Sequence, residues 1–371
     1  MYSTDQRIVI TLDAGGTNFV FGAIQANQFI VEPISTPSQS DNLDKCLANM
    51  VSGFSQVIDQ LKAMKKPAPT AISFAFPGPA DYPNGIIGGY LPNFPSFREG
   101  VALKAYLEDQ FGIPVFINND ADLYAYGEAL AGALPELNAK LAAAGSNKRF
   151  HNLLGYTLGT GFGFGFVQNG VLNTGDNSCV ETFCLKHKLM PNVLVEEGVS
   201  IRGVKRIYEQ ESGESAAQLE PKDICDIAAR KRNGNAAAAQ KAFALIGEVA
   251  GDAMATAVTL MDGIIVLGGG LTGAKEYIYP AMFRELRGPI QTISGETINR
   301  LQFKVYNLDN PEEFELFAKG AERPIQVYGS KRLVIYDPEK RIGVMTSTIG
   351  ASKAISLGAY AYALNQQPIQ K

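Results

Sequence analysis

A short polar stretch directly follows the apolar segment Arg7–Leu12 and contains Asp13, Gly15, Gly16 and Thr17. Glycines in a turn after a strand let backbone N–H groups approach an anion closely, and the Thr17 hydroxyl adds one more donor. Asp13 repels a phosphate, so its expected partner is a hydrated Mg²⁺ ion. The stretch predicts a phosphate-binding loop, although a glycine hairpin turn with a capping Asp fits the same residues.

A second glycine-rich stretch lies 146 residues further along the chain and contains Gly159, Thr160 and Gly161. Both stretches have the same order, a strand, a Gly/Thr loop and a second strand, which indicates an internal repeat at half-molecule scale. Two such loops, one in each half, would clamp one polyphosphate. The alternatives are a Gly-rich strand with close sheet packing and a chance similarity of two hairpins.

A third glycine cluster follows the apolar strand Ile264–Leu267 and consists of Gly268, Gly269 and Gly270. Bare backbone at this place suits the base and ribose of a nucleotide, and a plain strand-to-helix turn is the alternative. The P-loop pattern is not matched, because it requires a Gly-Lys-Ser/Thr end, and the dinucleotide fingerprint lacks its strand–helix context. The glycines therefore favour a nucleotide site of another type.

A polar pair, Asn119 and Asp120, follows the short predicted strand Val115–Ile117. A carboxylate at a strand end projects into the crevice outside the sheet. There Asp120 can accept a hydroxyl proton while Asn119 orients the alcohol. A helix N-cap is the alternative, since Asp is one of the residues preferred at that position.

Hydrophobic periodicity predicts the elements that must position these residues. The expected strands are Arg7–Leu12, Phe19–Ile24, Phe29–Ile34, Ala71–Phe76, Val115–Ile117, Ile264–Leu267 and Phe303–Tyr306, with a second meander from Leu153. The expected helices are Leu43–Leu61, 120–132, Ala236–Leu260 and Leu357–Leu364, with Asp41 and Asp120 at favoured N-cap positions. A hairpin addition is expected from Gln326–Tyr328, Arg332–Tyr336 and Ile342–Met345, turning at Asp337-Pro338.

Composition excludes several classes of protein. The 371 residues carry 33 Lys+Arg against 37 Asp+Glu, a mildly acidic balance that argues against a broad nucleic-acid surface. The two histidines are too few for a His-rich zinc site, and the four cysteines form no C-x-x-C pair. The polar start before Arg7 shows no signal peptide, and no apolar run reaches about 18 residues, so no membrane span is expected. Few cysteines fit a reducing cytoplasm.

In order and spacing, these motifs resemble those of the ROK family (repressors, open reading frames and sugar kinases) in the actin-like ATPase superfamily. The resemblance runs from Asp13 to Gly358. Asp13–Thr17 and Leu158–Gly163 are similar to its two phosphate loops, Asn119-Asp120-Ala121 to its catalytic motif, and Gly268–Gly270 to its adenosine loop. Leu91–Phe97 resembles its sugar loop, with Phe94 and Phe97 in place of Leu and Trp.

The resemblance implies a role for each matching residue. Asp120 would be the general base on a sugar hydroxyl, usually O6, and sugar hydroxyls would be held by Asn93, Asn119, Glu181 and Glu196. ATP and Mg²⁺ are the implied cofactors, with Asp13 holding the metal through water.

The segment after Glu181 departs from the family's pattern. Glu181-Thr182-Phe183-Cys184 has Phe for Gly and Cys for His, and Leu185–Leu194 stands in place of a Cys-rich zinc loop. We therefore expect no zinc. The same comparison predicts that Cys184 is a small buried apolar residue and that His187 is a plain surface histidine.

The resemblance implies an α/β fold of two actin-like (ribonuclease H-like) lobes with mixed sheets, flanked by helices, and a cleft between the lobes. Residues 1–120 with 357–371 would form the N-terminal lobe, and 121–356 the C-terminal lobe with a hairpin insertion near 326–345. The expected function is ATP-dependent phosphorylation of a hexose hydroxyl by a cytoplasmic homodimer that binds a small sugar, without nucleic acid or membrane partners.

Two alternatives to the hexose kinase stay open at this point. One is a non-catalytic sugar-binding sensor of the ROK type; the stretch before Asp13 is too short for a helix-turn-helix. The other is an actin-like kinase for a small non-sugar acid, against which Asn93 beside Asn119 and Asp120 favours a polyol. The motifs do not choose among glucose, mannose, fructose and N-acetylated hexoses.

Overall fold

The structure, a computed structural model, describes residues 2–367. Its helices are α1 (Leu43–Ala63), α2 (Leu103–Phe111), α3 (Asp120–Leu130), α4 (Ala133–Ala143), α5 (Ile201–Ser212), α6 (Pro221–Ala228), α7 (Ala236–Met261), α8 (Lys275–Arg287), α9 (Pro311–Lys319) and α10 (Ala351–Gln366). Short 3₁₀ helices span Pro95–Phe97, Val195–Glu197 and Gly270–Ala274.

The strands of the first half are β1 (Val9–Ala14), β2 (Asn18–Gln25), β3 (Gln28–Phe29), β4 (Ile34–Pro37), β5 (Ala71–Ala75), β6 (Ala80–Asp81), β7 (Ile86–Ile87), β8 (Val101–Ala102) and β9 (Val115–Asn118). Those of the second half are β10 (Leu153–Leu158), β11 (Phe162–Gln168), β12 (Val171–Asn173), β13 (Lys186–His187), β14 (Met190–Leu194), β15 (Ile264–Gly268), β16 (Pro289–Gln291), β17 (Thr297–Asn299), β18 (Lys304–Asn307), β19 (Arg323–Gln326), β20 (Leu333–Tyr336) and β21 (Arg341–Thr346). The expectation of an α/β fold with mixed sheets is confirmed.

The chain divides by its internal contacts into two units, which are described separately. The first contains residues 2–132, 165–180 and 349–367, and the second contains 133–164 and 181–348. Helix α3 lies in the first unit because it packs on α10, whereas its residues after 120 were expected in the second lobe. The contact is close: a Cβ on Gly127 would lie 1.9 Å from the Ala354 carbonyl oxygen.

The first unit is built on a sheet in the order β3-β2-β1-β5-β9, with β4 also paired to β2. Strands β1, β5 and β9 run parallel, while β2 is antiparallel to β1. The single strand expected at Phe29–Ile34 is wrong, because the chain forms two short strands that both pair with β2. Helix α1 is capped by Asn42, whose side chain accepts the Lys45 N–H at 3.1 Å, and not by Asp41.

The second unit contains sheet strands in the order β11-β10-β15-β21-β18. This order matches β2-β1-β5-β9 of the first sheet, strand for strand over its first four members, which supports the predicted internal repeat. Strands β10, β15, β21 and β18 run parallel. Strand β11 crosses the boundary between the units in the chain, and its end, Phe166–Gln168, pairs with β12 in the first unit.

The predicted hairpin near 326–345 needs a correction. The hairpin consists of β19 and β20, paired from Arg323↔Tyr336 to Gln326↔Leu333, and its tip contains Gly329 with φ +73°. The predicted third strand, Ile342–Met345, belongs instead to β21, a buried strand with parallel neighbours on both sides. Its apolar residues are buried in the central sheet, so Asp337-Pro338 is a connection between hairpin and sheet.

Helix α7 is, within residues 2–367, the one helix long and apolar enough to cross a membrane by length and composition. Most of its apolar window is buried inside the protein, and its buried face carries Ala239, Phe243, Ile246 and Met254. It packs on α5, α6 and α8. These features are those of a core helix.

Candidate active site

The first unit collects its polar residues at the carboxyl edge of three parallel strands. The register aligns Asp13 of β1 with Ala75 of β5, and Ala75 with Asn118 of β9. Asp13 and the residues after Asn118 therefore leave the sheet at the same edge. Burial is the main cause of the raised pKa of Asp120, and the negative charge of Asp13 adds to it.

The first glycine loop is a tight turn between β1 and β2. The Gly15 N–H donates to the Asn18 carbonyl at 3.0 Å, and a Cβ on Gly15 would lie only 2.8 Å from that oxygen. The hydroxyls of Ser38 and Ser40 both donate to the Gly16 carbonyl, Ser40 at 3.0 Å. These two hydrogen bonds fix the backbone of the loop, and a fixed loop of this kind can present its N–H groups to an anion.

Asn93 lies against this loop, since a Cβ on Gly16 would be 3.0 Å from the Asn93 Cβ. The Asn93 side chain is exposed, whereas its neighbours Phe94 and Phe97 are buried. The Phe94 ring lies 4.6 Å from that of Phe76, and the Phe97 ring lies 5.2 Å from it. The two departures from the family's sugar loop are thus members of an aromatic cluster that anchors the segment carrying Asn93.

Helix α3 begins directly after β9 and fixes Asn119 and Asp120. Asn119 is the N-cap, and its side-chain oxygen accepts the Ala121 N–H at 2.8 Å. Asp120 is the first helical residue, so the alternative of Asp120 as the N-cap is wrong, although its Oδ1 also accepts the Ala121 N–H at 2.8 Å. A carboxamide and a carboxylate are therefore held at one helix N-terminus.

The Asp120 carboxyl is accessible to solvent, although many protein atoms surround it. Its side chain is exposed, yet desolvation by the surrounding protein raises its pKa above the ordinary 3.8, against the opposing effect of the backbone N–H bonds. An accessible carboxyl with a raised pKa is the usual state of a general base in an enzyme. The exposed Asp13 carboxyl likewise has a pKa raised by desolvation.

A third carboxyl, Asp122, follows this pair in the chain and was not predicted as a site residue. It is buried in the first turn of α3, and desolvation, with the charge of Asp120, raises its pKa to about 7. The Asp-x-Asp spacing was the available signal, but spacing alone does not show that the second carboxyl is buried.

The second unit also brings two glycine loops together at one edge of its sheet. Strands β10 and β15 are parallel neighbours with Thr157 opposite Gly268, so Gly159–Gly161 and Gly268–Gly270 leave the sheet side by side. The Gly159 N–H donates to Gly161 at 3.1 Å, and Gly159 accepts the Ile201 N–H at 2.8 Å. The N-terminus of α5 therefore abuts the Gly159–Gly161 loop.

Gly269 and Gly270 have different roles in the third cluster. Gly269 has φ +88°, and a Cβ there would lie 2.4 Å from the Leu158 carbonyl oxygen, so no larger residue fits. A Cβ on Gly270 would meet nothing within 4 Å. The backbone at Gly270 is thus open on the side where the missing side chain would be, as an adenosine surface requires.

The backbone beside Glu196 is hydrogen-bonded to the segment that follows Glu181. The Glu196 N–H donates to the Phe183 carbonyl at 3.3 Å and the Val195 N–H to the Leu185 carbonyl at 2.8 Å, so Glu196 is bonded to a residue two positions after Glu181. The Glu196 carboxylate accepts the Phe162 N–H at 3.1 Å.

The Glu196 carboxylate has a second partner in Arg202, which contacts it at 2.8 Å. Glu196 thus contacts the residue that follows the Gly159–Gly161 loop and the first turn of α5. Arg202 was not predicted, because only the fold brings it to Glu196.

The segment Leu185–Leu194 forms the hairpin β13–β14, and it corrects two expectations. His187 is buried beside Gly198, its Nδ1 accepts the Leu189 N–H at 3.1 Å, and burial lowers its pKa. The surface histidine was therefore a wrong prediction. Cys184 is exposed, so the buried apolar cysteine was also wrong.

Among residues 2–367, no group of three or more His, Cys, Asp or Glu side chains is arranged to hold a metal ion. The expectation that the protein uses no zinc stays a prediction.

Comparison with protein-family models matches the ROK family over residues 9–298. The chain belongs to the ROK family. Among solved structures, a glucokinase from Parabacteroides distasonis is similar with 54% identity and a TM-score of 0.90, covering 99% of this chain and 100% of that one. An N-acetyl-D-glucosamine kinase from Vibrio cholerae is 27% identical over 73% of this chain and 86% of its own length.

A ROK glucokinase from Streptomyces griseus, solved with glucose and AMPPNP, has 18% identity and a TM-score of 0.61 over 95% of this chain and 98% of that one. At this identity the likeness shows the fold alone. Together with the mixed sheets of both units, these ROK neighbours confirm the actin-like fold class.

Proposed function

We propose that this ROK protein is an ATP-dependent hexose kinase that transfers the γ-phosphoryl group of ATP to the O6 hydroxyl of glucose. The observation that carries the proposal is Asp120, an accessible carboxyl with a raised pKa, at the sheet edge that also holds the Asp13–Thr17 loop. The 54% identity to a glucokinase over the whole chain supports glucose as the first substrate to test.

Asp120 acts as the general base in the proposed reaction. It takes the proton from the sugar hydroxyl as that oxygen attacks the γ-phosphorus and the bond to the bridging oxygen of ADP breaks. Asn119, held at the N-cap of α3, orients the alcohol. Dense protein around Asp120 raises its pKa, which makes it a stronger base than an ordinary aspartate.

The glycine loops of the two units are proposed to bind ATP. Gly15, Gly16 and Thr17, with Gly159, Thr160 and Gly161, would hold the phosphates through backbone N–H and hydroxyl donors. Gly268, Gly269 and Gly270 would hold the adenosine, which fits the open space at Gly270.

Asp13 offers the carboxylate that Mg²⁺ prefers, through water. When bound, Mg²⁺ neutralises the charge that develops on the phosphoryl oxygens.

Four polar residues are proposed to hold the sugar: Asn93, Asn119, Glu181 and Glu196. Asn93 is exposed on an anchored loop, and the Glu196 N–H donates to Phe183, two residues after Glu181 in the chain. Amide and carboxylate groups are the usual partners of sugar hydroxyls, because each accepts hydrogen bonds with a defined direction.

The decisive experiment is a panel of glucose, mannose, fructose, N-acetylglucosamine and N-acetylmannosamine with ATP and Mg²⁺, followed by a coupled ADP assay. We expect the highest kcat/KM with glucose. N-acetylglucosamine is the main competitor, since a relative at 27% identity acts on it. Metal analysis of the same sample tests the absence of zinc.

Since ATP and hexoses meet in the cytoplasm, we propose that location for the enzyme. We also propose that the enzyme is a homodimer.

Two results would contradict the proposal. Sugar binding with no phosphate transfer across the panel would indicate a sensor, and unchanged turnover in Asp120→Ala would remove Asp120 as the base.

A further inference from the structure

A carboxylate that has no role in the proposed reaction lies at the carboxyl edge of the sheet in the second unit. Strand β18 ends at Asn307 and is soon followed by Asp309, and strand β21 ends at Thr346. The two strands are parallel neighbours, and the Leu308 N–H donates to the Val344 carbonyl at 2.9 Å. Asp309 and Thr346 therefore leave the sheet side by side.

The Asp309 carboxylate accepts hydrogen bonds from two different elements. From the end of β21, the Thr346 N–H donates to Oδ1 at 3.0 Å and the Thr346 hydroxyl donates to Oδ2. From the start of α8, the Lys275 ammonium donates to Oδ2 at 2.7 Å and the Tyr279 hydroxyl at 3.2 Å. Lys275 and Tyr279 also lie 3.1 and 3.0 Å from the Thr346 hydroxyl oxygen. We call these four residues the Asp309 cluster.

The charge of Asp309 strengthens these bonds. Burial opposes its ionisation, but the bonds from Lys275 and Thr346 prevail and hold its pKa below the ordinary 3.8. The Lys275 side chain is 44% exposed, so its ion pair alone contributes little. The Asp309 side chain is only 19% exposed, and Tyr279 is buried. The bonds that Asp309 accepts from Thr346 and Tyr279 are therefore better shielded from water, and they join α8 to β21.

The helix start that the Asp309 cluster holds follows the third glycine loop. A 3₁₀ turn, Gly270–Ala274, joins this loop to α8. In a 3₁₀ helix, residues three apart lie on one face, and here Gly270 and Gly273 share an exposed face. A Cβ on either glycine would meet nothing within 4 Å. The turn thus presents a strip of open backbone.

Both ends of this turn are fixed. At its start, a Cβ on Gly269 would lie 2.4 Å from the Leu158 carbonyl oxygen, so this residue packs closely on β10. The Thr272 hydroxyl also donates to the Gly269 carbonyl at 2.7 Å. At the other end, Lys275 is bonded to Asp309. Loss of the Asp309 charge would leave the first end fixed and release the second.

We propose that Asp309 is a positioning residue for the nucleotide: it joins the start of α8 to the end of β21 and so holds the Gly270–Ala274 turn in the geometry that binds adenosine. This inference rests on the proposed role of Gly268–Gly270 as the adenosine loop. Asp309 acts through α8 and not by touching ATP. Its loss should therefore weaken nucleotide binding and leave the transfer step, for which Asp120 is the base, unchanged.

The test compares Asp309→Asn with Glu313→Gln. Asn keeps the shape of the side chain but offers one acceptor oxygen to four donors. Glu313 is the matched control, because its carboxylate also joins α8 to the chain around β18: it accepts the Arg287 guanidinium, and the Asn307 N–H at 2.7 Å. Arg287 is the last residue of α8, whereas Lys275 is the first. Both variants lose one ion pair of α8, so urea unfolding should show a similar loss of stability.

Nucleotide binding should separate the two variants. Calorimetry should show AMPPNP bound about 3–30-fold more weakly by Asp309→Asn, with a matching rise in the KM for ATP. The kcat at saturating ATP should stay within about twofold, because the positioned group acts on binding and not on the transition state. Glu313→Gln should change AMPPNP affinity by less than about twofold. Thr346→Val, which removes one of the four donors, is a milder variant and should show a smaller effect in the same direction.

Hydrogen exchange measured by mass spectrometry without nucleotide gives a second readout. The amides of residues 270–276 should exchange faster in Asp309→Asn than in the unmodified protein, and at the unmodified rate in Glu313→Gln. This measurement does not depend on activity, and it reports directly whether Asp309 holds the turn.

The outcomes distinguish the inference from the proposed function. The inference alone is overturned by unchanged AMPPNP affinity in Asp309→Asn, by an equal loss in Glu313→Gln, or by unchanged exchange at 270–276. It is also overturned by a lower kcat at saturating ATP with unchanged nucleotide affinity, since Asp309 would then act on the transfer step. An unmodified protein that binds no AMPPNP would refute the proposed function, and the inference with it.

Discussion

Replacing Glu196 with Gln keeps the shape of the side chain but removes the charge that holds the Gly159–Gly161 loop. In the structure, one carboxylate oxygen accepts the Phe162 N–H at 3.1 Å and the other contacts Arg202 at 2.8 Å. A Gln has a single oxygen, so it can satisfy only one of these donors, and its NH₂ group would face the other. The substitution therefore loosens the loop that is proposed to bind phosphate.

The two contacts set the magnitude. A hydrogen bond to a charged acceptor contributes about 1.5–3 kcal/mol and one between neutral groups about 0.5–1.5, so the Phe162 bond loses about 1 kcal/mol. Arg202 is half exposed, and solvent limits its pair to at most about 0.5–1 kcal/mol. The sum, about 1–2 kcal/mol, corresponds to a 5–30-fold rise in the KM for ATP.

Steady-state kinetics at saturating glucose gives the KM for ATP, and calorimetric binding of AMPPNP gives the nucleotide affinity independently of turnover. Glu197→Gln is the matched control, because Glu197 also binds Arg202 while the Phe162 N–H goes to Glu196; its ATP affinity should change less than about twofold. The glucose KM of Glu196→Gln should rise as well. An ATP affinity that is unchanged in Glu196→Gln, or lowered equally in both variants, would refute the reasoning.

Three further predictions concern single residues. Asp120→Asn should lower kcat by about 10²–10⁴-fold with little change in substrate binding. In the unmodified enzyme, kcat/KM should fall as the pH falls through the pKa of Asp120, which is raised above the ordinary 3.8. A pH–rate profile measures this decrease. Gly269→Ala should destabilise the protein by about 1–3 kcal/mol in urea, because of its φ of +88° and the Leu158 carbonyl. Gly270→Ala should leave stability unchanged and raise the KM for ATP. Burial lowers the pKa of His187 below 6.5, so stability should decrease as pH falls from 6.5 towards that lower pKa; urea unfolding of His187→Gln should show a smaller decrease.

Strong local patterns were enough to predict the central strands and the longest helices. The apolar runs at β1, β5 and β15 are buried on both faces, and α1 and α7 differ from their predicted bounds by one or two residues. That the Gly159–Gly161 and Gly268–Gly270 loops share a sheet edge was not predicted, because it follows from the parallel pairing of β10 with β15.

Other features depend on contacts between distant residues and could not be predicted. The apolar run Ile342–Met345 fits a hairpin strand and a core strand equally well, and β21 is assigned only by its pairing with β15 and β18. The His187 ring lies beside Gly198, where a Cβ would be 2.3 Å from its Nε2, and the sequence alone does not show this contact. The Glu196 contact with Phe162 spans 34 residues.

The two segments that depart from the family's pattern both lie beside residues proposed to hold the sugar. In the first unit, Phe94 and Phe97 replace other apolar residues and pack into the cluster around Phe76, while the exposed Asn93 is kept. In the second, Phe183 accepts the Glu196 backbone N–H, and Lys188 pairs with Glu248 of α7 and Glu285 of α8.

In both segments the changed residues act on the backbone that carries a binding group and leave the group itself in place. A change of this kind alters how firmly the amide or carboxylate is held, and so the affinity for a sugar. It does not alter the base, Asp120, whose position depends on β9 and the N-terminus of α3. The departures therefore bear on which hexose is bound and how tightly, and the proposed phosphoryl transfer does not depend on them.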